Sequence, residues 1–273
     1  TEMMDSAGTV HRKTVNVYVT DNSRAPFQGW NYRYLGSTSS FVRSGSSLVL
    51  TTKATYFNDP ATGNPLVAST YLGNSLYRKT YYEYLTNPDP AYYILDKASR
   101  VLLVDAANQI YSDTRYHYDA TIGQPPTRGD LTLVQRVTGN GNQTVDVWTD
   151  FDVYGNPTAT RAYKNYGTVN VPPSSAYVGN GTTYDTTLHT YPVAVTDAMG
   201  NTSTSEYLYT LGVPYQTTDP NQWTTTTTYD SLGRTLSVTP PGLSQPGTWF
   251  TYPMPDSNGN IPAPHSVEMQ ILD

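Results

Sequence analysis

Hydrophobic and polar residues alternate along most of this 273-residue chain. Val15, Val17 and Val19 fall on one side of an extended segment; Leu48, Leu50, Ala54 and Tyr56 fall on one side of a second, and Val145, Val147 and Phe151 of a third. Successive side chains of a strand point to opposite faces, so a period of two predicts strands with one face drier than the other. The sole helix signal is DPAYYILDKA at 89–98, where Asp89 as N-cap and Pro90 at the first helical position predict a short helix.

The segments between these strands repeat one recipe, Asp-x-x-Gly: DSAG at 5–8, DVYG at 152–155, DAMG at 197–200, DSLG at 230–233 and DSNG at 256–259. Asp at the first position of a type I turn can accept hydrogen bonds from the backbone just ahead, and Gly at the fourth takes the left-handed conformation that returns the chain. DAAN at 105–108 is a variant, since Asn tolerates the same conformation. Asp152, Gly155, Asp197, Gly200, Asp219, Asp230 and Gly233 are therefore expected to form turns. SGSS at 44–47, Asn140-Gly141 and Asn180-Gly181 also read as turns. From Asp197 through Tyr209–Gly212 and Asp219 to Asp230 the turns recur about every 11 residues, leaving roughly seven per strand, or about 23 Å. Two strands make a repeat of about 22 residues, too small to bury its own face, so stability must come from stacked neighbours.

Composition adds the nature of the surface. Charged residues make up 14%, against about 25% in an ordinary domain, so Thr, Ser, Asn and Tyr must supply the polarity. The 25 Tyr far outnumber the 5 Phe and 4 Trp, which suits sheet faces that are only partly dry. A net charge of −6 without any Lys/Arg cluster argues against a nucleic-acid partner. No apolar run approaches the roughly 20 residues of a membrane span, and TEMMDSAGTV lacks the apolar core of a signal peptide. The chain as given is expected to be soluble, with any export signal outside it. The absence of Cys excludes disulfides and thiolate chemistry.

Candidate chemistry is sparse. His11, His117, His189 and His265 are scattered without zinc-ligand spacing. His117 shares a strand face with Asp113 and Arg115, which reads as a solvated polar face. Asp146, Asp150 and Asp152 flank Trp148, and paired carboxylates beside an aromatic suit glycoside chemistry, but the turn already accounts for Asp152. Asp256, Asn258 and Asn260 resemble half of a calcium loop without its Gly and terminal Glu. Arg128-Gly129-Asp130 is a tripeptide used by some adhesins, and Asn142, Asn180 and Asn201 each begin a glycosylation acceptor. No catalytic set of acid, base and nucleophile converges, and no cofactor or metal is expected.

Three segments carry a resemblance: FDVYGNPTATRAY (151–163), TDAMGNTSTSEY (196–207) and TTDPNQWTTTTTYDSLGRTLSVTPPG (217–242). They resemble the tyrosine-aspartate (YD, or RHS) repeat, whose core Tyr-Asp-x-x-Gly-Arg is matched by Tyr229, Asp230, Gly233 and Arg234. TYDTTLHTYPVAVTDAMGN (183–201) resembles repeat-rich regions of bacterial toxin-complex proteins. The motif is specific over 115–242, with an atypical β region at 1–114 and a Pro-rich strand and turn segment at 243–273, all expected to form one continuous β unit. Phe151 replaces Tyr, Gln222 stands where Gly is expected, and Tyr209-Thr210 lacks the Asp.

The resemblance implies an all-β fold of stacked antiparallel hairpins in a long, twisted, coiled sheet, the shell known from insecticidal toxin complexes, polymorphic toxins and teneurins. Toxin members enclose a cytotoxic domain and end in a self-cleaving aspartyl protease, whose motif this sequence lacks. The expected role is structural, a section of a secreted or cell-surface shell, stalk or fibre. Its partners would be other repeats of the same or a longer chain, or further copies joined at sheet edges. The competing reading is a binding module using Tyr, Trp148 and Trp223 against glycans or a cell-surface receptor; an enzyme ranks last.

Overall fold

A computed structural model describes residues 1–21, 32–139, 141–252 and 267–271. Every regular element among them is a strand, and the strands belong to one antiparallel sheet, so the chain is all-β. It divides into two compact units, Thr1–Trp148 with Tyr163–Ala176, and Thr149–Ala162 with Tyr177–Asp273.

The first unit is a meander of long strands: β1 (Glu2–Met4), β2 (Val10–Asp21), β3 (Tyr32–Ser44), β4 (Ser47–Asn58), β5 (Pro65–Leu72), β6 (Ser75–Asn87), β7 (Ile94–Asp105), β8 (Ile110–Tyr118), β9 (Leu131–Val137) and the start of β10 (Gln143–Phe151). Each pairs with the next. Gly45 at φ +61° makes the hairpin closed by Ser44 and Ser47. After β11 (Pro157–Tyr163), residues 164–176 return to this unit as a strap containing β12 (Gly167–Thr168), which pairs with the start of β10.

The second unit contains β11 paired with β13 (Tyr177–Tyr184), followed by β14 (Pro192–Thr196), β15 (Thr202–Leu208), β16 (Val213–Thr218), β17 (Thr224–Tyr229), β18 (Thr235–Thr239), β19 (Thr248–Thr251) and β20 (Glu268–Ile271), again a meander. Short strands and turns about every 11 residues match the spacing in the sequence.

Three expectations need correction. The helix at 89–98 does not form. Asp89 accepts the N–H groups of Tyr92 and Tyr93 and so caps a single turn, but Tyr93 at φ +48° stops it and Ile94 enters β7 opposite Asn87. Pairing with β6 wins over a weak local helix signal. Asn180-Gly181 is not a hairpin turn but lies within β13, which turns only at 185–191. In β10 the dry face is the polar one: Thr144 and Asp146 are fully buried, whereas Val145 is 44% exposed. The strap over 164–176 covers that polar side.

Dry hydrophobic residues are few, namely Val104, Tyr118 and Leu133 among the described residues. No helix among the described residues is long and apolar enough to cross a membrane.

Candidate functional site

The Asp turns share one construction. In those headed by Asp5, Asp105, Asp152, Asp197, Asp219 and Asp230, the fourth residue donates its N–H to the Asp carbonyl at 3.0–3.2 Å. Oδ1 accepts the N–H groups of the third and fifth residues at 2.8–3.0 Å. The Asp N–H donates to the fifth residue's carbonyl at 2.9–3.1 Å, closing the hairpin. Gly155 (φ +88°), Gly200 (φ +88°) and Gly233 (φ +79°) hold the left-handed fourth position, and Asn108 and Gln222 adopt it as well, so the Asp219 turn forms despite lacking Gly.

The fifth position explains the rest of the motif. Oδ2 accepts the side chain of Asn156 at 3.0 Å, Asn201 at 2.9 Å and Arg234 Nε at 2.6 Å. The Asn201 side chain and backbone amides hold the Asp197 carboxyl below its ordinary range. For Asp152 and Asp230 burial pushes the other way, and the N–H groups of Asn156 and of Arg234, with its guanidinium, outweigh it. These carboxylates are already committed to backbone closure.

Two tyrosine-aspartate pairs organise longer loops by the same means. Asp119 accepts the N–H groups of Thr127, Arg128, Gly129 and Asp130 at 2.6–3.0 Å. Asp185, 3% exposed, accepts those of Thr187, Leu188, Thr190 and Tyr191, which depress its pKa against the opposing effect of burial.

The tyrosines do a separate job. Tyr84, Tyr118, Tyr184 and Tyr229 each sit where the strand register shifts, and each donates its hydroxyl to a carbonyl of the preceding paired strand: Pro65, Ala98, Pro157 and Pro214. Tyr252 does the same to Thr235. The links form relays: Tyr207 opposes Pro214, which accepts from Tyr229; Tyr229 opposes Thr235, which accepts from Tyr252. Tyr184, Tyr207, Tyr229 and Tyr252 recur every 22 or 23 residues, a signal present in the sequence and easily passed over beside the Asp turns.

The first unit contains a sealed polar cluster. Gln135, fully buried on β9, donates to Thr144 Oγ1 (3.3 Å), Asp146 Oδ2 (3.0 Å) and the Thr168 carbonyl (3.1 Å). Its Oε1 accepts the Asn170 N–H at 2.9 Å and lies 3.1 Å from His117 Nε2. Because a backbone N–H fixes which end of the amide is oxygen, His117 must carry its proton on Nε2. Burial holds this imidazole below its ordinary pKa, with Gln135 acting in the opposite direction. Gly167 lies against the cluster so closely that a Cβ would collide with Asp146 Oδ2 and approach Thr144 Oγ1 and the Val171 carbonyl at 2.9 Å. Neither Gln135 nor Gly167 carries a motif by which sequence could mark it.

The face holding Asp113 and His117 is thus buried, at 7% and 4% exposure, where a solvated face was expected. Asp113 takes two hydrogen bonds from Arg100, at 2.8 and 2.7 Å, and Arg100 also reaches Glu83 at 3.0 Å. A groove of about 530 Å³ beside them is lined by Arg100, Asp113, Arg115 and Thr138, with its charges spent on one another.

The other candidates have separate engagements. Asp146 sits under Gly167, Asp150 pairs with Arg161, and Asp152 closes its turn. His11 contacts Asp5, and His189 stacks on Tyr154 at 3.9 Å. Arg128 and Asp130 are paired at 3.0 Å on a loop pinned by Asp119, so the Arg-Gly-Asp side chains engage each other. Asn201 is held by Asp197, Asn142 and Asn180 are exposed, Trp148 lies opposite Leu133, and Trp223 is 59% exposed. Among the described residues no group of three or more His, Asp or Glu could hold a metal. Asn140, His265 and the Asp256–Gly259 turn with Asn258 and Asn260 lie outside the described residues.

No family model and no curated protein matches the chain. Its fold is shared with solved TcdB2-TccC3 structures. It matches the TcdB2-TccC3-Cdc42 structure at 10% identity and a TM-score of 0.64, covering 91% of this chain and 16% of that one. TcdB2-TccC3 without its hypervariable C-terminal region gives 12% identity and 0.64, and TcdB2-TccC3 gives 11% and 0.63, with the same coverage. The chain thus spans 16% of the length of the proteins whose fold it shares.

Proposed function

We propose that this chain is a section of a YD-repeat wall: a structural element of a secreted or cell-surface protein, not a catalyst, whose partners are further repeats of the same kind. The observation that carries this reading is the destination of the motif residues. In the turns each Asp Oδ1 is taken up by two backbone N–H groups, and the hydroxyls of Tyr84, Tyr118, Tyr184, Tyr229 and Tyr252 each reach a carbonyl of the preceding paired strand. Groups engaged in this way serve backbone closure and strand pairing, which suits a sheet with little dry core. The shared fold with TcdB2-TccC3 supports the same reading.

Electron cryo-microscopy of the polypeptide that carries these residues tests it. The hairpins should follow one another in chain order as one layer of a wall. A separate closed domain with carboxylates converging on a bound small molecule would overturn it.

A second reading, a module that stacks sugars, draws on exposed Trp223 and on the Tyr154–His189 pair. A glycan array with no binder, or with binding untouched by Trp223→Ala and Tyr154→Ala, rejects it.

A further inference from the structure

Between β15 and β16 the register slips by one residue: Glu206 stands opposite Gln216 and Tyr207 opposite Pro214, so Tyr215 is the extra residue of a bulge. A bulge re-aims the side chains beside it. Here the Tyr215 hydroxyl meets Glu206 and donates to its Oε2. Tyr191, whose N–H is anchored by Asp185, stacks on Tyr207 with ring centroids 4.8 Å apart and lies against Tyr209 at 5.7 Å. Tyr207, Tyr209, Tyr215 and Glu206 line a cleft of about 400 Å³, within the ~300–1,000 Å³ usual for small-ligand clefts.

Two properties of the cleft select a ligand. Its lining contains one charged residue, Glu206, and neither Lys nor Arg. The hydrogen bond to Glu206, ahead of burial, raises the Tyr215 hydroxyl above its ordinary pKa, so the carboxylate's partner is a neutral phenol that leaves its charge uncompensated. Three tyrosines beside one carboxylate, on a chain of net charge −6, attract a cation through ring quadrupoles and direct charge. The second property is the shortage of acceptors. A primary ammonium must place three hydrogen bonds and a guanidinium five, while the one carboxylate already accepts from Tyr215. A quaternary ammonium has none to place and draws its attraction from aromatic rings and charge.

We propose that this cleft binds a quaternary ammonium group. The tyrosines surround its methyl groups, and Glu206 balances its charge. Tyr191, by stacking on Tyr207, holds that ring in place before the ligand arrives. The inference stands apart from the wall reading and can fail without it.

Proton NMR titration of the 273-residue chain with choline tests it, beside the uncharged isostere in which a tert-butyl group replaces the trimethylammonium. The choline methyl resonance should move upfield and saturate, because aromatic rings shield groups over their faces, and the isostere should bind about tenfold more weakly. Glu206→Gln and Tyr209→Leu, both at exposed positions, should each weaken choline binding about fivefold. Tyr111→Leu, which removes a 71% exposed tyrosine from the first unit, should leave it unchanged. Phosphatidylcholine vesicles distinguish the source of the group. Co-sedimentation that free choline competes away supports the proposal with a lipid headgroup as ligand, and saturable choline binding without co-sedimentation supports it with a soluble ammonium compound. No saturable shift, an isostere that binds as well as choline, or a loss in Tyr111→Leu equal to that in Glu206→Gln overturns the proposal.

Discussion

Replacing Gln135 by Leu probes what holds the strap over 164–176 onto the first unit. Leu nearly conserves volume, so no large cavity opens, and the change is confined to polar partners. Asp146 loses its Gln135 donor, and its Oδ1 has no partner among the described residues, so a fully buried carboxylate is left bare. Removing one partner from a buried charge costs about 3–5 kcal/mol. The Asn170 N–H and Thr168 carbonyl also lose Gln135, but both residues are exposed and water can replace it at little cost. His117, nearly buried, loses its acceptor and adds about 1 kcal/mol. The total, on the order of 4–6 kcal/mol, rivals the whole stability of a small domain. Urea unfolding with hydrogen exchange at the strap amides should show the first unit destabilised by this amount and protection lost at Val169 and Asn170. The double variant Gln135→Leu with Asp146→Leu should recover much of the loss, because deleting both partners removes the orphaned charge. A loss below about 1 kcal/mol in the single variant, or no recovery in the double, refutes the reasoning.

Other perturbations separate the remaining devices. Gly167→Ala forces a Cβ into Asp146 and Thr144 and should cost about 1–3 kcal/mol by overpacking, whereas Gly200→Ala meets no atom within 4 Å and should cost about 1–2 kcal/mol through its φ of +88° alone; thermal unfolding checks both, and equal insensitivity would refute the packing account. Tyr229→Phe removes the 2.6 Å bond to Pro214 and should cost about 1 kcal/mol, read as faster amide exchange in β16 and β17 but not in β2 to β4. Acidification should act in two windows. The depressed His117 pKa means the unfolded chain takes up a proton first, so stability is full above about pH 6.5 and falls below it, a slope that His117→Asn should abolish. The depressed carboxyls of Asp119, Asp185 and Asp197 contribute stability above about pH 4 that is lost as pH falls further.

What sequence could convey divides along a physical line. The turns were legible because Asp and Gly act within five residues, where local chemistry decides the conformation. Even Gln222 and Asn108, in place of Gly, preserve them. Strand existence was legible from alternation, but not which face is dry. At β10 the pattern favours the valine side, and the strap, arriving from more than twenty residues away, seals the Thr144–Asp146 side instead. The helix signal at Asp89 failed for the same reason, since the pairing of β7 with β6 is decided outside the window that shows the cap. Gln135 gave no sign at all, because its role depends on five partners spread from His117 to Asn170.

The motif residues also explain how a sheet with so little dry core can be specified. A hydrophobic face fixes register because a one-residue slip turns it to solvent, and polar strands such as β15 to β17, rich in Thr and Ser, lack that penalty. Here register is set at the strand ends. Each Asp turn fixes the pairing of the two strands it joins, and Tyr184 and Tyr229 each fix their strand, at a bulge, against a named carbonyl of the paired strand before it, as Tyr252 does just after β19. A slip by one residue would break both connections. Tyr184, Tyr229 and Tyr252 act as such clamps, and Tyr207, in the same 22- or 23-residue series, marks the bulge opposite Pro214, so the series recurs once per hairpin. Strands pinned at their ends in this way leave the interior Thr and Ser side chains of β15 to β17 with no part in setting the register.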